Sequence, residues 1–178
     1  FLRRGFAAES VFFRKGCTMA HVLITGGAGF IGSHLAVLLT SHGHTVRVID
    51  LLDPQIHGAG GFFPDYMHPA VECIRGDIRD PDDMRKALCG IEIVFHFAAF
   101  TGVGQSMYDM RRYLDTNSTG TATLLETIVK MSVPIKRFVL GSSRAVYGEG
   151  THRCPTHGIL YPGVRKRSDM EEGRFEVF

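Results

Sequence analysis

The sequence predicts an α/β protein built on a doubly wound parallel sheet with helices on both faces. Short apolar runs typical of buried strands alternate with segments of helical periodicity along most of the chain. A glycine-rich turn joins the first apolar run to the first helical segment. With 178 residues, 44% of them hydrophobic and 21% charged, the chain has the length and composition of a globular domain with a sizeable core.

The glycine turn is the strongest motif. The stretch Thr25–Gly32 reads TGGAGFIG and follows the apolar run Ala20–Ile24. It opens a helix whose predicted apolar face comprises Ile31, Leu35, Leu38 and Leu39. A strand, a glycine turn and a helix in this order are typical of a dinucleotide-binding site. An ordinary glycine-rich turn between a strand and a helix is the alternative.

The glycines of this turn have separate predicted roles. Gly26 permits the tight turn, Gly29 lets the backbone approach a pyrophosphate, and Gly32 lets the helix pack closely. The helix N-terminus, with Phe30 and Ile31, offers free N–H groups and partial positive charge to phosphate oxygens. The sequence therefore predicts a phosphate-binding site at this turn.

Further strands and helices follow in alternation. Strands are predicted at Thr45–Asp50, Val71–Arg75, Ile91–Phe97 and Arg137–Leu140. Helices are predicted at Pro81–Leu88 and Asp109–Met131, and a Pro- and Gly-rich loop from Asp53 to about Pro69. Periodicity ends after Tyr147, so Gly148–Phe178 is predicted to be irregular. We expect a Rossmann-type sheet that is truncated after its fifth strand.

A basic segment precedes the first predicted strand. Residues 1–18 carry Arg3, Arg4, Arg14 and Lys15 against one acid, Glu9. An Arg-rich, acid-poor leader is typical of an organelle transit peptide, but we favour a fusion remnant or translated upstream sequence before Met19. We therefore assign residues 1–18 to an extension, 19–150 to the dinucleotide-binding domain, and 151–178 to an irregular insertion or tail.

Charge and cysteine content exclude several classes of protein. A formal net charge of +2 does not favour binding to nucleic acid or to an anionic membrane surface. No apolar run is long enough to span a bilayer. The cysteines are scattered and indicate no disulfide framework, so we expect a reducing compartment, the cytoplasm. They are Cys17, Cys73, Cys89 and Cys154.

Two carboxylates follow predicted strands. Asp50 ends the second strand about twenty residues beyond the glycine turn, where an acid accepts hydrogen bonds from both hydroxyls of an adenosine ribose. It would repel a 2′-phosphate, so NAD is favoured over NADP. Asp77, followed by Ile78 after the third strand, is placed to meet the adenine amino group. The alternatives are a solvated acid at position 50 and a turn-forming Asp at position 77.

The ends of the fourth and fifth strands carry further candidates. Ala98 and Ala99 are small and would let a cofactor lie close to the backbone. His96 is interpreted as a packed strand histidine rather than a catalytic base. Ser142 and Ser143 follow the fifth strand, where a hydroxyl can hydrogen-bond a substrate oxygen that is becoming a ketone, although serines are also common in turns.

Asn117 is unusual for a long amphipathic helix. Its spacing puts it on one face with Tyr113, Thr121, Leu124 and Ile128, so we expect its side chain to be buried. A buried amide needs partners. It is interpreted as a core Asn bonded to backbone, and the alternative is a structural link in a proton relay through ordered water.

These motifs together resemble the NAD-dependent epimerase/dehydratases, the extended branch of the short-chain dehydrogenase/reductase family. The matching stretches follow in order: Thr25–Gly32, Asp50, Gly76–Asp80, His96–Ala99, Asn117 with Gly120–Thr121, and Ser142–Gly148. The piece Gly102–Met107 also looks like the substrate-side loop of sugar-nucleotide 4-epimerases.

The resemblance implies NAD as cofactor and a nucleotide sugar as substrate, with transient oxidation of a ring hydroxyl, usually at C4. Return of the hydride to the other face makes an epimerase, and elimination makes a dehydratase. Ser143 matches the serine that hydrogen-bonds the reacting oxygen, and Asn117 matches the asparagine of the relay. Relatives often form homodimers through the long helix and its neighbour.

The chain departs from this family in one respect: it contains no Tyr-x-x-x-Lys, the family's catalytic base with its lysine. The nearest candidate is Tyr161, followed by Arg165, and Pro162 and Gly163 argue against a helix there. We therefore expect Tyr161 not to be the base and the chain to be an N-terminal portion, which binds NAD without turning over a sugar nucleotide.

The region after Gly150 resembles an insertion found in some relatives. Within it, Cys154 and His157 look like half of a small zinc-binding knuckle, but a structural zinc site needs four ligands, so no metal is expected in this chain. Two other interpretations stay open. The chain is a non-catalytic NAD-binding or redox-sensing module, or it is the inactive product of a shortened reading frame.

Overall fold

The computed structural model describes residues 19–176. The predicted extension at residues 1–18 lies outside the described residues. The chain divides into two compact units after Gly141, earlier than the division predicted at residue 150. The first unit contains the glycine turn, and the second contains Ser143 and Tyr161.

A parallel sheet forms the centre of the first unit. Its strands are β1 (His21–Thr25), β2 (Thr45–Asp50), β3 (Glu72–Arg75), β4 (Ile93–His96) and β5 (Arg137–Leu140). They lie in the order β3-β2-β1-β4-β5, and every pair is parallel. The predicted strands are therefore present, with shifts only at their ends. The strand order reverses direction between β1 and β4, the position where open parallel sheets bind ligands.

Helices connect these strands. They are α1 (Phe30–Ser41), α2 (Pro54–His57), α3 (Pro81–Leu88), α4 (Val103–Ser106), α5 (Met110–Leu114) and α6 (Thr121–Lys130). The short helix α2 lies in the segment predicted as a Pro- and Gly-rich loop. Asp53 accounts for it, because its side chain caps the helix by accepting a hydrogen bond from the Gln55 N–H and Pro54 follows at the first helical position.

The core has two layers, one on each face of the sheet. On one face, Leu23 and Ile49 pack with residues of α3 and α6, among them Met84, Leu88 and Leu124. On the other face, the sheet packs against α1, through Val22, Ile24, Val48, Ala36 and Leu39. This arrangement confirms the doubly wound α/β fold.

The predicted apolar face of α1 is wrong in part. The buried residues of this helix are Gly32, Ser33, Ala36 and Leu39. Ile31 is 64% exposed and Leu38 is 44% exposed. The helix approaches the sheet through small side chains, so its buried face is centred on Gly32 and Ala36 rather than on the larger residues. The sequence prediction used only the spacing of apolar residues, so it could not detect a buried face made of small residues.

The predicted long helix is continuous but not α-helical throughout. Between α5 and α6, residues Asp115–Gly120 form a π-helical segment. The extra residue per turn changes which side chains face the core, so Thr116 and Gly120 are buried there. The prediction that Asn117 is buried is therefore wrong, since Asn117 is exposed.

The second unit contains a few short elements within the segment that was predicted to be irregular. Two strands, β6 (His152–Cys154) and β7 (Gly158–Leu160), form an antiparallel hairpin. A short helix, α7 (Arg167–Glu171), follows. Arg165 ties this unit together through an ion pair with Glu149 and a hydrogen bond to the Phe175 carbonyl at 2.7 Å. These contacts join residues that are not neighbours in the sequence, so the local hydrophobic pattern could not predict them.

None of the helices within residues 19–176 has the length and apolar character needed to cross a membrane.

Candidate active site

A cavity of about 400 Å³ opens at the carboxyl edge of the first unit's sheet. Among the residues that line it are all those predicted to bind a cofactor. They are Gly26, Gly29, Phe30, Ile31, Gly32, Asp50, Asp77, Ile78, Ala98 and Ala99. The cavity therefore lies where parallel strands deliver their functional side chains.

The glycine turn shapes one part of this cavity. Gly26 has φ +71°, and a Cβ there would lie 2.7 Å from the Ala98 nitrogen. At Gly32 a Cβ would lie 2.3 Å from the Gly26 carbonyl oxygen. Neither position tolerates a side chain, so the turn and the first turn of α1 pack directly on each other. Gly29 caps α1 without a side-chain hydrogen bond, which leaves helical N–H groups available to an anion.

Asp50 is fixed by backbone donors at the end of β2. Its Oδ2 accepts a hydrogen bond from the Ala28 N–H at 3.0 Å, and its Oδ1 accepts one from the Leu52 N–H at 2.9 Å. Each oxygen keeps a second lone pair for another donor. The carboxylate is thus oriented by the glycine turn itself, with acceptor capacity left for a ligand such as a diol.

His57 faces the same carboxylate. Its Nε2 lies 3.6 Å from Asp50 Oδ1, and both side chains are largely buried. His57 also lines the cavity.

Asp77 lines the cavity but is engaged by a neighbour. Both of its oxygens accept hydrogen bonds from the Arg79 guanidinium: Oδ1 from Nε at 3.0 Å, and Oδ2 from Nε at 2.9 Å and from Nη2 at 2.6 Å. Burial raises the pKa of the Asp77 carboxyl, but the hydrogen bonds and charge of Arg79 outweigh it and hold the pKa below its usual value. Asp77 also accepts from the Arg79 N–H at 2.8 Å, so it serves as a turn residue as well.

His96 belongs to a hydrogen-bond chain that runs in one direction. The Thr121 hydroxyl donates to the Asn117 carbonyl at 2.7 Å, so it accepts from His96 Nε2–H at 2.9 Å. His96 Nδ1 then accepts from the Thr25 hydroxyl at 2.6 Å. Thr25 in turn accepts from the Ala98 N–H at 3.2 Å. Each ring nitrogen has one partner, which assigns the neutral tautomer with hydrogen on Nε2.

Burial lowers the pKa of the His96 imidazole below its ordinary value. His96 is 3% exposed, and its partners are hydroxyl groups rather than charges. This geometry agrees with the interpretation of His96 as a packed strand histidine. It connects β1 and β4 to α6, so it supports the strand end that carries Ala98.

Asn117 holds the backbone of Phe100. Its Oδ1 accepts from the Phe100 N–H at 2.8 Å, and its Nδ2 donates to the Phe100 carbonyl at 3.0 Å. The expected bonding to backbone is present although the side chain is exposed. The neighbouring Thr116 lines the cavity, and its buried hydroxyl has no hydrogen-bond partner within the described part of the chain.

Two residues considered for catalysis, Ser143 and Tyr161, lie in the second unit. Ser143 begins a 3₁₀-helical turn, Arg144–Tyr147, and its hydroxyl accepts from the Ala145 N–H at 3.1 Å. Tyr161 is 79% exposed. No helix covers residues 161–166, so Tyr161 and Arg165 do not share a helical face.

Cys154 is the last residue of β6, and His157 lies in the turn between β6 and β7. Cys154 Sγ is 3.3 Å from His157 Nδ1. Hydrogen bonds from the backbone of His157 and Thr156 lower the pKa of the Cys154 thiol. Over residues 19–176, no group of three or more His, Cys, Asp or Glu residues is arranged to hold a metal ion.

Sequence reasoning missed Asp53 and His57, which line the cavity, and Arg112, which donates a hydrogen bond to Asp53. Arg112 Nη2 donates to Asp53 Oδ2 at 2.5 Å. The signal for Asp53 was available, because Asp followed by Pro is a typical start of a helix. No sequence signal indicates His57 or Arg112, since their partners are recognised only once the chain is folded.

The parallel sheet, the glycine turn and the carboxylate at the end of β2 define a Rossmann-type nucleotide-binding domain. Its family is shown by comparison. The model of the NAD-dependent epimerase/dehydratase family matches residues 22–164, and the chain belongs to that family.

Curated relatives include sugar-nucleotide 4-epimerases. The chain is 38% identical over 157 residues to dTDP-L-rhamnose 4-epimerase of Burkholderia thailandensis, covering 87% of this chain and 43% of the relative. It is 38% identical over 135 residues to bifunctional UDP-glucose 4-epimerase and UDP-xylose 4-epimerase 3 of Arabidopsis thaliana, covering 72% and 38%. The chain thus spans about two fifths of the length of these relatives.

Solved structures agree with this result. A crystal structure of UDP-glucose 4-epimerase superposes with a TM-score of 0.62 at 34% identity, covering 72% of this chain and 37% of that one. MoeE5 in complex with UDP-glucuronic acid and NAD superposes with a TM-score of 0.59 at 37% identity, covering 72% and 38%. The predicted Rossmann-type fold is confirmed.

Proposed function

We propose that this chain supplies the NAD-binding part of a nucleotide-sugar 4-epimerase. The observation that carries the proposal is the Asp50 carboxylate, fixed by the Ala28 and Leu52 N–H groups at the edge of the cavity. An oriented acid beside a glycine turn suits a ribose diol attached to a diphosphate.

The residues of the cavity fit NAD. The positions at Gly26 and Gly32, where a Cβ has no room, form a turn that brings backbone close to a ligand. The start of α1, which has no side-chain cap, would hold the diphosphate, and Asp50 the adenosine ribose. Asp77 and Ile78 would border the adenine, while Ala98 and Ala99 leave room along β4. When bound, NAD would accept a hydride from the substrate and return it.

The substrate of this proposal is a nucleotide sugar whose C4 hydroxyl is oxidised and then re-reduced. The support is the set of relatives, which are named as UDP-glucose and dTDP-L-rhamnose 4-epimerases. The Ser143 hydroxyl would hydrogen-bond the reacting oxygen. The role of Asn117 would be indirect, because its amide is occupied by the Phe100 backbone. A dehydratase reaction is the alternative within the same family.

A second candidate function is a non-catalytic NAD-binding module. The observation in its favour is that no Tyr-x-x-x-Lys is present and that Tyr161 lies in a non-helical, exposed segment. Arg165, the residue four positions later, is engaged by Glu149. We therefore expect the chain to bind NAD without epimerising UDP-glucose or dTDP-L-rhamnose. Detection of product by chromatography would rule out the non-catalytic module.

Calorimetric titration of the chain tests the cofactor. NAD should bind more tightly than NADP, because Asp50 repels a 2′-phosphate. Asp50→Asn keeps the shape but removes the charge, and should weaken NAD binding by about thirtyfold, the value of hydrogen bonds to a charged group. Asp65→Asn, at an exposed acid away from the cavity, is the matched control and should leave binding unchanged. Tighter binding of NADP than of NAD would contradict the proposal.

The proposed assembly is a homodimer formed through the long helical segment. Exposed apolar residues at helical spacing support it: Leu114 is 61%, Leu125 46% and Val129 75% exposed. Sedimentation would test it: the wild-type chain should be a dimer and Leu125→Glu a monomer.

The cytoplasmic location stays a prediction, which fractionation of the native source would test.

A further inference from the structure

The segment that follows β2 forms part of the cavity wall although no motif indicates it. Leu51, Asp53, Ile56 and His57 all line the cavity. This segment, residues 51–57, leaves the sheet at Asp50 and contains α2. We call it the 51–57 loop. Because it borders Asp50, its position decides the shape of the proposed ribose site.

Asp53 gives the loop two independent attachments, one for each carboxylate oxygen. Its Oδ1 accepts from the Gln55 N–H at 3.0 Å, which starts α2. Its Oδ2 accepts from Arg112 Nη2 at 2.5 Å. The first contact is local and sets the conformation of the loop. The second comes from α5, which follows β4 in the chain, and fixes where the loop lies.

Arg112 contacts two residues that line the cavity, Asp53 and Phe100. Besides Asp53 it donates to Gln55 Oε1 at 3.4 Å. The centre of its guanidinium lies 4.1 Å from the centre of the Phe100 ring. Phe100 also lines the cavity, and its backbone is held by Asn117. A planar guanidinium can form an ion pair at its edge and stack by its face at the same time.

The loop brings His57 to Asp50. The His57 side chain is 13% exposed and the Asp50 side chain 12%. Their nearest atoms, Nε2 and Oδ1, are 3.6 Å apart. The His57 side chain thus lies beside the Asp50 carboxylate, and both residues line the cavity.

We propose that Arg112 is a positioning residue for the adenosine half of the cofactor: held between Asp53 and Phe100, it fixes the 51–57 loop so that His57 closes the ribose site at Asp50. This inference rests on the proposed function. It adds that the affinity for the adenosine half depends on a side chain of α5 that does not line the cavity.

Calorimetric titration of the full chain with NAD, and separately with AMP, tests the inference. Arg112→Gln should weaken binding of NAD and of AMP by the same factor, about tenfold, since it removes the ion pair with Asp53 and the cation–π contact with Phe100, besides a longer ion pair with Asp109. Arg111→Gln is the matched control. Arg111 is its neighbour on α5, is 93% exposed at its side chain, and pairs with Asp115 rather than with a cavity residue. It should change neither affinity.

A double-variant cycle separates positioning from general support. If Arg112 acts through the loop, His57→Ala should weaken AMP binding severalfold in the wild-type chain and much less in Arg112→Gln. Additive losses would overturn the inference, because independent effects add. So would equal NAD affinities of Arg112→Gln and the wild-type chain. Failure of the wild-type chain to bind NAD or AMP would instead overturn the proposed function.

Two further variants keep the test valid if Arg112→Gln does not fold. Asp53→Asn preserves the acceptor that caps α2 but removes the charge that Arg112 pairs with, so it should weaken AMP binding as Arg112→Gln does. Arg112→Lys keeps the charge but not the planar stacking on Phe100, so it should recover part of the affinity. Wild-type AMP affinity in Asp53→Asn would overturn the inference.

Discussion

The cavity has two walls that are built by different means. The glycine wall, residues 26–32 with Asp50, is made of backbone: its carboxylate is held by the Ala28 and Leu52 N–H groups. The loop wall, residues 51–57 with Phe100, is held by side chains of the long helical segment, Arg112 and Asn117. Backbone contacts are specified by a short motif, whereas side-chain contacts depend on the whole fold.

The difference predicts how each wall fails. The backbone atoms of the glycine wall are already in close contact, so there is no room for one added methyl group, which should disrupt the wall. A wall of side-chain hydrogen bonds and ion pairs near solvent should lose its interactions one at a time, with smaller costs.

The largest effect is expected in the glycine wall. Gly32→Ala would place a Cβ 2.3 Å from the Gly26 carbonyl oxygen, so the first turn of α1 must move. We expect the free energy of unfolding to fall by about 3 kcal/mol, as for an overpacked core, and NAD binding to be lost. Urea unfolding and calorimetric titration measure the two quantities.

The control for this substitution is Gly104→Ala. Gly104 is also helical, in α4, but a Cβ there meets no heavy atom within 4 Å. Alanine should be neutral or slightly stabilising, because it forms helix better than glycine. Equal stabilities of the two variants would contradict the tight geometry of the glycine wall.

The loop wall should lose less when Asn117 is replaced. Asn117→Leu removes both hydrogen bonds to the Phe100 backbone, and we expect a loss of about 1 kcal/mol in unfolding free energy with severalfold weaker NAD binding. Ser118→Leu, which puts the same side chain at the neighbouring exposed position, should leave NAD affinity unchanged. If both variants bind NAD like the wild type, Asn117 does not support the wall.

Burial of His96 predicts a dependence of stability on pH. Burial lowers the pKa of His96 in the folded chain, so the unfolded chain takes up its proton first as the pH falls. The stabilisation that the neutral His96 side chain provides is fully present at pH values above the unfolded-state pKa of about 6.5. It is lost as the pH falls below that pKa. His96→Gln should lack this loss.

The measurement is urea unfolding of the wild type and His96→Gln at a series of pH values. The chain has 9 histidines, so the difference between the two curves isolates His96. Parallel curves from pH 7 to about 5 would show that His96 protonates equally in both states.

The smallest effect is expected at the Tyr66 hydroxyl, which contacts Ser33 of α1. The Tyr66 hydroxyl lies 2.7 Å from the buried Ser33 hydroxyl, which also donates to the Phe30 carbonyl at 3.2 Å. Tyr66→Phe removes one donor to Ser33 and should cost about 0.5–1 kcal/mol. Tyr108→Phe is the control, since Tyr108 is 90% exposed. Indistinguishable thermal midpoints would show that the Tyr66 hydroxyl does not brace α1.

The two walls also explain what the sequence could predict. The strands, the glycine turn and Asp50 rest on local patterns, and the structure has them where these patterns indicate. The face of α1 was predicted wrongly because small residues, Gly32 and Ala36, set its packing distance. The exposure of Asn117 was predicted wrongly because a π-helical segment changes which side chains of the helix face the core. No residue type indicates such a segment in a sequence.

The loop wall was outside the reach of sequence analysis for a physical reason. Arg112 and Asp53 are separated by 59 positions, and a charged pair at that separation is one of many that a chain could form. Only the fold selects it. In the second unit, the hairpin was missed because its strands are three residues long and carry no alternating pattern.

The strand order has a consequence for synthesis of the chain. β1 lies in the middle of the sheet, where Val22 is paired with Val46 on one side and Ile93 on the other. A ribosome must therefore release the chain beyond β4 before both edges of this apolar strand are satisfied. Until then β1 can pair with strands of other nascent chains. The yield of correctly folded protein should thus depend on the rate of translation across the segment between β2 and β4.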